Sequence, residues 1–171
     1  MHGVSKPILS YDTIPEPYIL EAGSRIMSLQ DPDKKMSKSD NNLNNIISLL
    51  DSPDVVINKI NRSVTDSGNE IKYNLEKMGL SNLISIYSSI TEEKISVIEE
   101  KYKGKMYSDF KNDLGQIIVE FLKPIQYNYS KIINDKEYLH TILDEGKNKA
   151  SYKARKTLSK VYRKVGFIKS K

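Results

Sequence analysis

The sequence predicts a mainly α protein, a C-terminal helical bundle from about residue 40 onward, preceded by a short strand and a polar loop. Three observations predict it. Apolar residues recur at three- and four-residue spacing through most of the chain after Leu43. Capping and stopping residues punctuate that pattern, among them Ser52-Pro53-Asp54, Gly104, Asp135 and Gly166. Only residues 25–29, around Ile26-Met27-Ser28-Leu29, read as a strand.

In chain order, Pro7, Pro15 and Pro17 forbid a continuous helix or a central strand over residues 1–20. The strand at 25–29 follows. A single strand can neither bury its faces nor satisfy its hydrogen bonds alone, so it is expected to be the edge or remnant of a larger sheet. Gln30-Asp31-Pro32-Asp33 is a turn, and Lys34-Lys35-Met36-Ser37-Lys38-Ser39-Asp40 a polar loop. Leu43, Ile46, Ile47 and Leu50 then predict an amphipathic helix begun near Ser39 or Asp40.

Ser52 caps the next helix, with Pro53 in its first turn, Asp54 against its dipole, and Val56, Ile57, Ile60 and Val64 on one face. Thr65-Asp66-Ser67-Gly68 reads as the turn that closes it. Past Gly79 a helix carries Leu83, Ile84, Tyr87 and Ile90. Thr91 is expected to cap another, with Glu92 and Glu93 in its first turn, and Gly104 ends it. Ser108 or Asp109 opens a longer helix through Phe110, Leu114, Ile117, Ile118, Phe121 and Ile125. Pro124 predicts a kink there or a boundary at Lys123. Asp135 caps the last helix, which Gly166 stops.

That helix has two faces from residue 149. Ala150, Ala154, Leu158, Val161, Tyr162 and Val165 fall on one side, and Lys149, Lys153, Lys156, Lys160, Arg163 and Lys164 on the other. Residues 146–171 hold ten Lys/Arg and no acid, whereas the rest of the chain holds 17 basic and 22 acidic side chains. One end is therefore suited to a polyanion and the remainder is not. Lys149, Lys153, Lys156, Lys160 and Arg163 are candidate phosphate contacts for RNA.

Zero cysteines exclude disulfides and thiolate metal sites, and His2 and His140 do not suggest a metal cluster. His140 reads as a surface or packing residue. No apolar run approaches the roughly 18 residues of a membrane span, and Met1-His2-Gly3-Val4-Ser5-Lys6-Pro7 lacks the apolar core of a signal peptide. A cytoplasmic protein without membrane contact is expected.

The loop carries the chemistry. Lys35 and Lys38 can converge on one anion, Ser37 and Ser39 can donate to the same oxygens, and a helix start near Asp40 would add backbone N–H groups. Lys35-Met36-Ser37-Lys38-Ser39 reads K-M-S-K-S, the second signature of class I aminoacyl-tRNA synthetases. Its surroundings from Gly23 to Asp40 resemble the bacterial-type tryptophanyl-tRNA synthetases. Further stretches resemble the same family: Val64-Thr65-Asp66-Ser67-Gly68, the run Tyr102-Lys103-Gly104-Lys105-Met106-Tyr107 through Leu114, and Leu143-Asp144-Glu145-Gly146 followed by Lys149-Ala150. Met106 stands where a glycine is usual. The resemblance runs from about residue 14 to 168, and Met1 to Ser10 lie outside it.

The resemblance implies a tryptophan–tRNA ligase that activates tryptophan with ATP and Mg2+, transfers it to tRNA(Trp), and works as a homodimer. Residues 1–39 would be the end of a Rossmann-like catalytic domain with the K-M-S-K-S loop, and residues 40–171 a helical, anticodon-side tRNA-binding domain. Lys35 and Lys38 would be catalytic. Ile26, through its backbone, would meet the adenine side of ATP, and Lys35, Met36, Ser37, Lys38 and Ser39 would hold the phosphates. The H-I-G-H-type motif and the tryptophan pocket are expected upstream of residue 1, in an N-terminal half without which the chain is inactive. The competing reading is a stand-alone helical RNA-binding module that kept the loop by descent.

Overall fold

The computed structural model describes residues 25–167. Within them the protein is mainly helical, and no regular strand forms. A 3₁₀ turn spans Leu43–Asn45, followed by α1 (Pro53–Asn61), α2 (Met78–Thr91), α3 (Ile95–Lys101), α4 (Tyr107–Asn134) and α5 (Lys136–Val165). The described chain divides into two compact units. Residues 25–48 and 52–118 form the first; residues 49–51 and 119–167 form the second.

The core of the first unit is aromatic at its centre and aliphatic around it. Tyr87 of α2, Tyr102 and Phe110 are each almost fully buried, with Tyr102 edge-on to both Tyr87 and Phe110 at centroid distances of 5.8 and 5.0 Å. Such pairs add about 0.5–1.5 kcal/mol beyond the area they bury. Their polar ends are satisfied: Lys101 Nζ donates to the Tyr87 hydroxyl at 2.6 Å, and the Tyr102 hydroxyl donates to Asp113 at 2.9 Å. Val56, Ile60, Leu80, Leu83, Ile84, Ile98 and Leu114 complete the core. Gly115 lets α4 lie close to α1, because a Cβ there would already touch Ile57 at 3.4 Å.

Several expected helix boundaries hold. Pro53 opens α1, with Ser52 at the cap position, although its hydroxyl makes no capping bond. The Asp135 carboxylate caps α5 by accepting from Tyr138 N–H, and Gly166 ends it with φ +75°. Others do not hold. Thr91 is the last residue of α2, not a cap; its hydroxyl donates back to Tyr87 C=O, and Lys94 precedes α3. α4 runs unbroken through Pro124, which removes the boundary at Lys123 as one of the two expected outcomes and leaves the kink.

The amphipathic helix expected from residue 40 is reduced to one 3₁₀ turn, leaving Leu43 and Leu50 more than half exposed. Asp40 accepts from Asn42 N–H (2.8 Å) and from Asn45 Nδ2 (2.9 Å), and Asn42 Oδ1 accepts from Asn44 N–H (3.0 Å). Side chains of this kind offer the backbone partners outside the helical ladder. Four asparagines and an aspartate in six residues supply enough of them to win.

The expected strand is likewise reduced to one antiparallel bridge, Met27 opposite Lys35. Its hydrogen bonds are nonetheless made. Met36 N–H donates to Ile26 C=O and Ser28 N–H to Lys34 C=O; on the other side Leu29 N–H donates to Asn45 C=O and Val64 N–H to Leu29 C=O. Both backbone groups of Met27 are taken by the Asn82 side chain. The backbone groups of Met27 and Leu29 thus find partners within the described residues, and no sheet remnant is seen there.

In the second unit, Gln126 Nε2 on α4 donates to the carbonyls of Leu49 and Asp51, both at 2.9 Å. α5 has no buried residue, and Tyr162 meets Phe167 edge-on just beyond its end.

Candidate functional site: a lysine-bearing hairpin and a basic helix

The hairpin that carries the K-M-S-K-S stretch is built from its turn upward. Asp31 C=O accepts from Lys34 N–H at 2.9 Å, closing the turn at Pro32-Asp33, and Ser28 Oγ accepts from Asp31 N–H. Lys34 is engaged within its own turn. Its ammonium pairs with Asp31 at 2.6 Å, which raises its pKa above the usual lysine value.

The bridge places Ile26 and Met36 side by side, with Lys35 at the paired position. Ile26 and Met36 are half-buried, whereas Lys35, Ser37, Lys38 and Ser39 are exposed. Lys35 and Lys38 make no hydrogen bond or ion pair within the described residues. The Ser37 and Ser39 hydroxyls lie 3.1 Å apart, and Ser37 C=O accepts from Asp40 N–H, so residues 37–40 form a tight polar turn. Asp40 closes it. The amide donors of Asn45 and Asn42 hold its carboxyl below the ordinary aspartate range. This is a loop of exposed cations and hydroxyls on a backbone-bonded base, suited to a polyphosphate. The helix N-terminus expected after it is replaced by the 3₁₀ turn.

Two features escaped the sequence reading. Asn82 grips Met27 from α2, with Met27 N–H donating to Asn82 Oδ1 at 2.8 Å and Asn82 Nδ2 donating to Met27 C=O at 2.9 Å. The signal was an asparagine among Leu80, Leu83, Ile84 and Ile86, since a buried amide needs partners. The second is a clasp beside the Thr65-Asp66-Ser67-Gly68 turn. The Tyr107 hydroxyl donates to Asp66 at 3.0 Å, Gly68 N–H donates to the same carboxylate at 2.7 Å, and Lys77 Nζ lies 3.5 Å from it. Burial alone would raise the Asp66 pKa; these partners together hold it below the usual value. The contacts explain the turn structurally.

On α5, Lys149 pairs with Glu145 at 3.2 Å, while Lys153, Lys156 and Arg163 are exposed and Lys160 is half-buried. Beside them lies a shallow groove of about 370 Å³ lined by Lys147, Asn148, Ser151, Tyr152, Arg155, Lys156 and Ser159. Lys147, Tyr152 and Arg155 were not among the expected contacts, because they lie off the lysine-rich face.

With this geometry in place, the family model described as tRNA synthetases class I (W and Y) matches residues 9–123. The chain belongs to this family. It is 55% identical over 155 residues to the tryptophan–tRNA ligase of Listeria monocytogenes (strain F2365), covering 90% of this chain and 46% of that protein. The ligase of Clostridium tetani is 46% identical over 158 residues, covering 92% and 47%. Among solved structures, Mycoplasma pneumoniae tryptophanyl-tRNA synthetase superposes with TM-score 0.75 at 34% identity over 87% of this chain and 45% of that one. Campylobacter jejuni tryptophanyl-tRNA synthetase complexed with ADP and tryptophan gives TM-score 0.66 at 26% identity, over 91% and 47%. The chain spans about half the length of the curated relatives it matches.

Proposed function

We propose that this chain is the C-terminal part of a tryptophan–tRNA ligase, which activates tryptophan with ATP and transfers it to tRNA(Trp). The observation that carries the reading is the hairpin: exposed Lys35 and Lys38 with Ser37 and Ser39 on a fixed base, in a chain 55% identical to such a ligase.

In this reading residues 1–39 close a Rossmann-like catalytic domain, and residues 40–171 are the helical tRNA-binding domain. Tryptophan is held by an N-terminal half bearing the H-I-G-H-type motif. Ile26 meets the adenine side of ATP through its backbone, and the segment Lys35 to Ser39, with Met36 as its anchor, holds the phosphates. As the tryptophan carboxylate attacks the α-phosphorus, negative charge grows on departing pyrophosphate. Cations fixed there stabilise the transition state more than the ground state, which raises kcat. A loop suits this task because it can close on ATP and reopen for release. No cluster of three His, Cys, Asp or Glu side chains that could hold a metal exists among the described residues, so Mg2+ would arrive on the nucleotide. Lys149, Lys153, Lys156, Lys160 and Arg163 contact tRNA phosphates, joined by Lys147 and Arg155. The whole enzyme is a cytoplasmic homodimer.

The test is tryptophan-dependent ATP–pyrophosphate exchange by this chain alone and joined to the N-terminal half of the L. monocytogenes relative. Exchange is expected only in the joined protein, with Lys38→Ala lowering kcat at least tenfold and changing KM for ATP far less. Equal losses in kcat and ATP affinity would count against transition-state stabilisation. No exchange in either form, with tRNA binding intact, would favour the RNA-binding module.

A further inference from the structure

The Asn82 side chain occupies the place of a neighbouring strand. Its oxygen accepts from Met27 N–H at 2.8 Å and its amide nitrogen donates to Met27 C=O at 2.9 Å, matching the donor and acceptor of one residue by one side chain. Met27 faces Lys35 across the only bridge in the hairpin. Asn82 is itself 6% exposed and fixed on α2, between the fully buried Leu80 and Leu83. No second ladder bond connects Met27 to a neighbouring strand among the described residues. If the amide is lost, the Met27 position on that edge is released; the hairpin base then rests on the Leu29 bonds to Asn45 and Val64, and the Ser28–Lys34 and Met36–Ile26 bonds across the hairpin open more readily.

We infer that Asn82 is a positioning residue for the K-M-S-K-S hairpin: by clamping Met27 to α2 it fixes the base from which Lys35 and Lys38 reach the phosphates. The inference rests on the proposed activation of tryptophan with ATP. Asn82 acts through the Met27–Lys35 bridge, so its effect belongs to the step that needs those cations aligned. Misplacement by about 1 Å can cost on the order of 100-fold in rate.

The experiment compares Asn82→Leu, Asn82→Asp and a core-trimming control, Ile84→Val, in the chain joined to the L. monocytogenes N-terminal half. Asn82→Asp keeps the acceptor for Met27 N–H but sets a second acceptor against Met27 C=O, so it loses half the clamp at nearly constant volume. Exchange kcat is expected to fall at least tenfold in Asn82→Asp, with KM for tryptophan changed less than twofold. In a Lys38→Ala background the same change should cost less than twofold more, because the two residues serve one interaction. In the chain alone, amide hydrogen exchange at Ser28 and Met36 should quicken at least tenfold while the α2 amides keep their rates.

A loss of kcat no larger than that of Ile84→Val, once unfolding midpoints are matched, would overturn the inference, as would unchanged exchange at Ser28 and Met36. If Asn82→Leu fails to fold, Asn82→Asp and the amide rates still decide. Were Lys38→Ala itself harmless, the phosphate-holding reading would fall first. A damaging Lys38→Ala with a harmless Asn82→Asp would remove Asn82 alone.

Discussion

Gly79 and Asn82 stand three residues apart in the first turns of α2, and both serve the same seam. Asn82 holds the hairpin; Gly79 makes room. A Cβ on Gly79 would sit 2.2 Å from Val64 C=O, and the same residue is tied down through its N–H, which donates to Leu29 C=O at 2.8 Å. A backbone carbonyl so held cannot swing aside as a side chain would. Gly79→Ala, which in an open helix would gain about 1 kcal/mol, should here lower the unfolding free energy by about 2–3 kcal/mol. Urea denaturation of the chain checks this, and an unchanged or raised midpoint would refute it. At this scale the sequence was partly legible. The stretch 35–39, exposed except at Met36, showed itself as a polar loop. Asn82 did not, because its partner is 55 positions away and no local pattern links an asparagine to a backbone.

Helical elements were legible where the cap and the period agreed. α5 is the clearest case, since the Asp135 carboxylate and the Gly166 backbone do what those residue types do at helix ends. Residues 39–50 had the period without the propensity, and the asparagine-rich composition decided the outcome. α4 shows the converse: a proline within a 28-residue helix whose apolar period runs on both sides of it did not end the helix. Gly146 lies inside α5 with open space where its Cβ would be. Gly146→Ala should therefore stabilise the helix by about 1 kcal/mol through backbone entropy. Slower amide exchange across 142–150 would register it; faster exchange would show that the glycine has a role there.

Over the whole molecule, charge is divided as sharply as structure. The ten basic residues after 145 face an otherwise acidic chain, and residues 146–167, which carry eight of them, lie in the second unit. If these cations meet tRNA phosphates, Lys153/Lys156/Lys160→Glu should weaken tRNA(Trp) binding at least tenfold. It should also reduce the slope of log affinity against log salt by about 2–3. Titrations at several salt concentrations test both, and unchanged binding at low salt would end the idea. The division into units at residues 118–119 could not be read from the sequence, because α4 crosses it without a break in period.

The clamp on Met27 also bears on how copies of this chain behave together in solution. An extended segment with idle N–H and C=O groups is a template on which another molecule can add a strand, the usual first step of edge-to-edge aggregation. Here an amide side chain occupies the Met27 position on that edge, and Asn45 and Val64 occupy the next. The hairpin can thus present its lysines to solvent without also presenting an adhesive margin.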